Sequence, residues 1–431
     1  NNINYLDQHN RTSIGPSSKK LSLILNNQGM VSNGYVTLAP FRSEFYTTPM
    51  QDGFSVGSLP WLDLLSVHEY RHAMQYMNLQ RGFTRMAYWL FGDTGWGTMM
   101  NLTIPGWYFE GDAVATETAL TRQGRGRMPS FLQNYKSILL TDKHISYMKA
   151  RNGSYRDMVP NEYELGYLLC SYGREHYGND LWLKVNRQTA WCYGGIYPFS
   201  QSLKKFTGLY TNRFYRQAMQ HYQEQWTDEN RSLTLTPFKS LSSDNLTVTR
   251  YRFPIYQKDG RLLVYKDSYR EVGAIYQINP DGSEEKICTT GISQDPYFTA
   301  SGNLIVWAGY TVDERYSARN YSDIILYNIA SGEKNFLTHK QRLVSPALSD
   351  DGSRIIAVKA DAAKSQLVIL DSRSGCVTDT LPNLENLIYT YPKWDLDGEN
   401  IVSSARTPTG SMVIIRQNIA TGVVTQLSGE Y

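Results

Sequence analysis

"SVHEYRHAMQYMNLQRG", residues 66–82, carries two histidines four positions apart, with a glutamate directly after the first. Positions i and i+4 of an α-helix lie on one face about 6 Å apart, so the imidazoles of His68 and His72 can reach one metal ion. Glu69, one step round the helix, can reach a water held there. The same stretch also reads as an ordinary amphipathic helix, with two partly exposed histidines beside core residues Leu64, Leu65 and Met74. Chance weighs toward the metal site. In a chain with this histidine content, H-E-x-x-H arises by accident about once in two hundred sequences.

A catalytic zinc site needs three protein ligands and one open position. The metzincin continuation would place Gly at 75 and His at 78, but those positions hold Gln75 and Asn78, which excludes that class. The remaining histidines, His9, His144, His176, His221 and His339, have no ligand spacing to one another. The third ligand is therefore sought among carboxylates, and "PGWYFEGDAVATE" (105–117) supplies one. Pro105-Gly106 opens a helix. Glu110 falls in its first turns, followed by Gly111, Ala113 and Ala115, whose small size permits close packing against another helix. Glu117 lies two turns further along the same face. It could hold a ligand histidine through the second ring nitrogen or form a solvated salt bridge.

These residues resemble the gluzincin metallopeptidases, and most closely their peptidase-MA-like members, in which a Trp-x-x-Glu-Gly-x-Ala pattern carries the glutamate ligand. Here it reads from Trp107 through Glu110 and Gly111 to Ala113. The resemblance implies that His68, His72 and Glu110 hold Zn²⁺ and that Glu69 is the general base. It continues in "VPNEYELGYLLCSYGREHYG" (159–178), where the family's Tyr-Glu-x-Gly segment opens a long helix and its tyrosine steadies the tetrahedral intermediate. That role falls to Tyr163, with Tyr167 as a rival.

Two departures bear on specificity. The 37 residues between His72 and Glu110 include the aromatic, Met-rich run "MAYWLFGDTGWGTMMNLTIPGWY" (86–108). Such a run reads as core, as the wall of an apolar substrate pocket, or as a membrane-touching surface. Aminopeptidases of this superfamily carry Gly-x-Met-Glu-Asn, whose glutamate grips the substrate's free amine. The nearest stretch, "GMVSNG" (29–34), has Ser32 near that place and no acid, which favours an endopeptidase. The strand "NGYVTLAPF" could pair with an extended substrate.

Beyond about residue 248 the texture changes. "QKDGRLLVY", "TASGNLIVW", "SDDGSRIIAV" and "DLDGENIVSS" place turn glycines at 260, 302, 352 and 398, and each is followed by a second strand and turn. Repeats of 40–50 residues with several short strands mark β-propeller blades. They resemble TolB-like propellers, in which a Ser-Pro-Asp-Gly turn precedes a strand. Four blades are counted, and the expectation is that the propeller is incomplete and continues past Tyr431.

The whole chain of 431 residues is long enough for two or three domains. Its 43 basic against 40 acidic residues give no reason to expect nucleic acid as a partner. No apolar run reaches the ~20 residues of a transmembrane helix. The four cysteines lack C-x-x-C spacing, and the chain begins Asn1-Asn2, so an upstream signal or anchor is not visible.

The expected organisation is multidomain: an α+β zincin-like peptidase domain over 1–228, a polar linker over 229–247 and propeller repeats over 248–431. The expected activity is zinc-dependent hydrolysis of a peptide or protein substrate, with the propeller docking substrate or a protein partner. The resemblance implies a periplasmic or extracellular setting. Two alternatives stand beside it: a propeller-based binding protein with an inactive or structural zinc domain, and a zinc hydrolase of a non-peptide bond.

Overall fold

The computed structural model describes residues 2–429 apart from 142, 235, 243 and 244. The chain opens on helix α1 (Asn2–Ile14). Leu6, Asn10 and Ile14, spaced four apart, form its buried stripe. The polar residues between them hid that stripe in the sequence.

A three-stranded sheet follows, from β1 (Ser22–Asn26), β2 (Gly34–Leu38) and β3 (Phe41–Tyr46). β3 is central, parallel to β1 and antiparallel to β2, so β2 is an edge strand. The short α2 (Gly53–Val56) leads to α3 (Trp61–Leu79), which carries the motif. One side of α3 packs Val67, Tyr70 and Met74 against Leu6 and Ile14 of α1. The alternative of an ordinary amphipathic helix with partly exposed histidines does not hold, because His68, Glu69 and His72 are all buried.

α4 (Gly82–Thr103) is broken at Gly92, whose φ of 64° lies outside the helical region. Then come α5 (Gly106–Leu120), a 3₁₀ turn at Arg125–Arg127, α6 (Pro129–Leu140), α7 (Tyr147–Asn152), α8 (Glu162–Tyr177), α9 (Leu181–Thr189), α10 (Pro198–Thr207) and α11 (Thr211–Arg231). α5 and α8 cross with their backbones touching. A Cβ on Gly111 would lie 1.9 Å from the carbonyl carbon of Gly166, and one on Gly166 would lie 1.9 Å from the carbonyl oxygen of Trp107. The small residues after Glu110 are thus where the two helices meet. Around that crossing Trp107, Tyr108, Trp182 and Phe199 pack as one aromatic core. Among the described residues no helix is long and apolar enough to cross a membrane.

The helical region is followed by four antiparallel four-stranded sheets in a propeller-like arrangement. The first comprises β4 (Thr249–Tyr256), β5 (Leu262–Ser268), β6 (Ala274–Ile278) and β7 (Glu284–Thr289). The second comprises β8 (Phe298–Ser301), β9 (Leu304–Val312), β10 (Asn320–Asn328) and β11 (Lys334–Phe336). β12 (Leu343–Leu348), β13 (Arg354–Asp361), β14 (Lys364–Asp371) and β15 (Val377–Thr380) make the third. β16 (Ile388–Trp394), β17 (Asn400–Arg406), β18 (Met412–Asn418) and β19 (Val424–Gln426) make the fourth.

The four glycines singled out in the repeats each turn the chain from the first to the second strand of a sheet with positive φ, from 58° to 85°, a conformation that costs glycine little. The first strands of the sheets converge: Phe253 of β4, Tyr391 of β16 and Tyr297, the residue before β8, touch with ring centroids 4.8–6.1 Å apart.

Arginines from the propeller clamp the loops around the small sheet. Arg342 donates to the carbonyls of Asn27 and Gly29 at 3.0 and 3.1 Å. Arg406 donates to those of Met50 and Gly57 at 2.7 and 2.9 Å. These bonds satisfy backbone oxygens just before β2 and just before α3, the two elements that border the candidate site.

Candidate metal centre

On α3, the i,i+4 spacing points the rings of His68 and His72 the same way, with their Nε2 atoms 3.2 Å apart. Glu110, from the first turns of α5, brings Oε2 to 3.4 Å from each of those nitrogens. A tetrahedral ion with bonds of about 2.0–2.1 Å to N and O has ligand–ligand edges of about 3.3–3.4 Å. The triangle of two imidazole nitrogens and one carboxylate oxygen therefore has the edge lengths of one face of such a tetrahedron. Among the described residues it is the one group of three such donors close enough to share an ion.

The orientation of both rings is fixed from behind. Nδ1 of His68 donates to Oε2 of Glu117 at 3.0 Å, and Nδ1 of His72 donates to Oε1 of Gln75 at 2.9 Å. Each bond keeps a hydrogen on Nδ1 and turns Nε2 toward Glu110. The Glu117 carboxylate is fully buried and also receives Nε of Arg125 at 2.7 Å and Nη2 at 2.9 Å. Nη2 lies 2.8 Å from Nδ1 of His68 as well. The two hydrogens bracket one carboxylate oxygen, and that assignment leaves no charge on Glu117 unpaired. Burial works against ionisation of Glu117, but Arg125 and the bond from His68 outweigh it and hold the carboxyl down at about 2.

Gln75 is held in turn. Its Nε2 donates to Asp112 at 2.9 Å and to the Phe109 carbonyl at 3.0 Å. Asp112 receives a two-pronged bond from Arg71 at 2.7 and 2.9 Å and a further one from Arg174. Arg71 reaches on to Asn10 of α1 at 2.7 Å. One buried network thus ties α1, α3, α5 and α8 together behind the imidazoles. The i,i+3 spacing from His72 to Gln75 was the only trace of it in the sequence. Arg125 and Tyr76, whose ring lies 6.3 Å from that of His72, were missed as well. Tyr76 continues the 68–72 stripe by one more turn and could have been found by that spacing.

Within the trio the charges support one another. Burial disfavours the Glu110 carboxylate, yet the bonds and charge of His68 and His72 pull its pKa well below the usual range. Burial likewise disfavours a charged His72, and the bond and charge of Glu110 overcome this, raising it to about 9.

Glu69 is different. It is buried, and its Oε2 has no hydrogen-bond partner in the structure. The start of β2 presses on it: a Cβ on Gly34 would come within 3.1 Å of Oε1 and 2.7 Å of Leu65. The absence of a side chain at Gly34 is what lets the edge strand pass beside that carboxylate.

Of the two candidate tyrosines, Tyr163 stands at the trio. Its ring stacks at 6.2 Å on that of His68 and lies 5.2 Å under the guanidinium of Arg125. Burial and then the Glu110 charge raise its pKa, so the phenol keeps its proton. Tyr167 points to the Gly126 carbonyl and packs at 5.8 Å against Phe131.

No protein-family model matches the chain, nor does any curated protein. Among solved structures, partial likeness is found to TolB from Acinetobacter baumannii, at 18% identity over 36% of this chain and 38% of that one, with a TM-score of 0.29. A second is the β-propeller domain of the Trilobed protease from Pyrococcus furiosus, at 12% identity over 31% and 42% of the two chains and a TM-score of 0.26. A third is the Pyrococcus horikoshii acylaminoacyl peptidase, at 13% identity over 31% and 24%, again with a TM-score of 0.26. The likeness thus spans less than half the length of each of these proteins.

Proposed function

We propose that the helical region, residues 1–228, is a gluzincin-like zinc endopeptidase, joined through residues 229–247 to a propeller over 248–431 that docks or selects its peptide or protein substrate. The observation that carries this reading is the triangle of His68, His72 and Glu110, with edges of 3.2–3.4 Å, set beside a buried glutamate that has an unpartnered oxygen. A structural metal site has no use for such a glutamate.

Zn²⁺ bound by the three residues supplies Lewis acidity toward a scissile carbonyl and makes a water more acidic. Glu69 takes a proton from the attacking water and returns it to the leaving amine. Tyr163 keeps its proton and donates a hydrogen bond as negative charge develops on the carbonyl oxygen. The free edge of β2 receives an extended substrate by strand pairing. Its course beside Glu69, allowed by Gly34, aligns the scissile bond with the base.

The resemblance of the repeats to TolB-like propellers is the basis for placing the protein in a periplasmic or extracellular setting. With no acid in residues 29–34 to hold a free amine, acetylating a substrate's N-terminus should change its cleavage little. The deciding test is Glu69→Gln assayed on a peptide library: it should lower kcat by about 10²–10⁴ while zinc content stays at the wild-type level. Undiminished activity in that variant would remove Glu69 from the mechanism and the peptidase reading with it.

A further inference from the structure

The aromatic run that follows the motif is divided: Trp96, Met100, Ile104, Trp107 and Tyr108 are core, whereas the stretch before Gly92 is not. Within α4, whose composition is largely apolar, only Thr84, Trp96, Met100 and Thr103 are buried. Trp89, Leu90 and Phe91 stand 69%, 65% and 72% exposed immediately before the break at Gly92, so they form the apex of a bent helix. Leu102 near the far end is also exposed.

A second exposed apolar segment lies against both ends of α4. It is the connection between α9 and α10, where Trp191, Ile196 and Tyr197 are exposed. Gly82 abuts the Trp191 ring, and the Phe83 amide donates to the Ala190 carbonyl at 2.9 Å. At the other end Met99 and Leu102 share a groove of about 970 Å³ with Ile196, Tyr197 and Met148. The two segments are therefore one continuous face.

Asp93 lies beside the apex, but the charge of the groove has one sign. The groove is lined by Arg151, Arg213 and Arg216 and by no carboxylate. Between Leu181 and Gln223 the chain has six Lys and Arg and no Asp or Glu. Arg85 lies over the Trp89 ring, and Lys204 and Lys205 lie over Tyr210 and Tyr193. Of the six, Lys184 pairs with Asp180, whereas among the described residues no ion pair uses Arg151, Arg213, Arg216, Lys204 or Lys205.

We infer that this face docks on a lipid bilayer carrying anionic phospholipid headgroups. Exposed Trp, Tyr, Phe and Leu at an apex match the boundary between headgroups and acyl chains, where amphipathic rings are favoured. Unpaired basic side chains within an apolar groove match a ligand that is apolar at one end and negatively charged at the other. The site does not depend on the metal centre, so its failure would leave the peptidase reading untouched.

The test is co-sedimentation of the full chain with vesicles of phosphatidylcholine alone or of phosphatidylcholine with phosphatidylglycerol. Binding is expected to the anionic vesicles only, and it should weaken as salt screens the attraction. Arg213→Glu/Arg216→Glu should weaken it by about tenfold or more, and Trp89→Ser/Phe91→Ser by a similar factor with the salt dependence retained. If the arginine variant loses its near-ultraviolet circular dichroism, Lys204→Glu/Lys205→Glu tests the same charge. Absence of binding to anionic vesicles at low salt overturns the inference, as does binding that the aromatic and charge variants leave unchanged. Self-association dispersed by Trp89→Ser/Phe91→Ser, without vesicle binding, also overturns it and assigns the face to a second copy of the chain.

Discussion

In the helical region Asp112 is fully buried and meets the guanidinium groups of Arg71 and Arg174. In the propeller Asp295 is buried almost as deeply but is held by the amide of Tyr297 at 3.3 Å and by the amide and hydroxyl of Ser345 at 3.0 and 2.6 Å. Burial pushes against the charge of both. In Asp112 the two arginines win and the carboxyl is held down at about 2, whereas in Asp295 burial wins and the carboxyl is pushed up to about 6. Depth alone therefore does not set the charge of a buried acid; its partner does. Asp112 is kept charged and paired because it holds Gln75, and through it His72, in place. Asp295 has no such cation beside it, and its burial is a cost.

The largest effect should come from breaking the paired side of this contrast. Arg71→Met leaves Asp112 with one fewer cation at full burial and should destabilise the helical region by about 3–5 kcal/mol, read by urea unfolding. A loss no greater than that of an exposed substitution would mean that the network does not hold these helices together.

The unpaired side predicts a pH signature. The folded-state pKa of Asp295 is raised from 3.8 to about 6. Its contribution is thus fully present below the unfolded value and is lost as pH rises through the folded one. Across that window the chain should lose about 2–3 kcal/mol, and Asp295→Asn should flatten this part of the stability profile. A wild-type profile that the substitution leaves unaltered would place the titration elsewhere.

A smaller effect separates turn from packing within the propeller. Gly260 has φ +85° with open space where a Cβ would stand, so Gly260→Ala meets only the backbone penalty and should cost about 1–2 kcal/mol. A cost near zero would show that this turn relaxes freely and that the glycine repeat reflects something other than conformation.

The same contrast explains what could be read in the sequence. The propeller sheets were legible because each repeats a turn whose positive φ selects glycine, and four repeats multiply a weak local signal. The trio was legible only where helix geometry links sequence spacing to space: His68 to His72 through i,i+4, and Glu110 through a resemblance. Of its supports, only Glu117 was singled out, by its two-turn spacing from Glu110, and the structure places it 3.0 Å from Nδ1 of His68. Arg125 approaches Glu117 through a 3₁₀ turn, and Arg71 meets Asp112 across two helices, contacts that no local periodicity records. Helix α1 was missed because two of its buried positions are separated by Asn10, a polar residue that looks solvated until its partner Arg71 is seen.

The central claim is that His68, His72 and Glu110 form one metal site, and zinc content after equilibrium dialysis measures it most directly. The wild-type chain should retain one equivalent of zinc. His72→Ala and Glu110→Gln should lose it, Glu117→Gln should weaken it by about 10–100-fold, and Glu69→Gln should keep it. A wild-type chain that emerges without zinc, or a His72→Ala chain that holds as much as the wild type, would contradict the account.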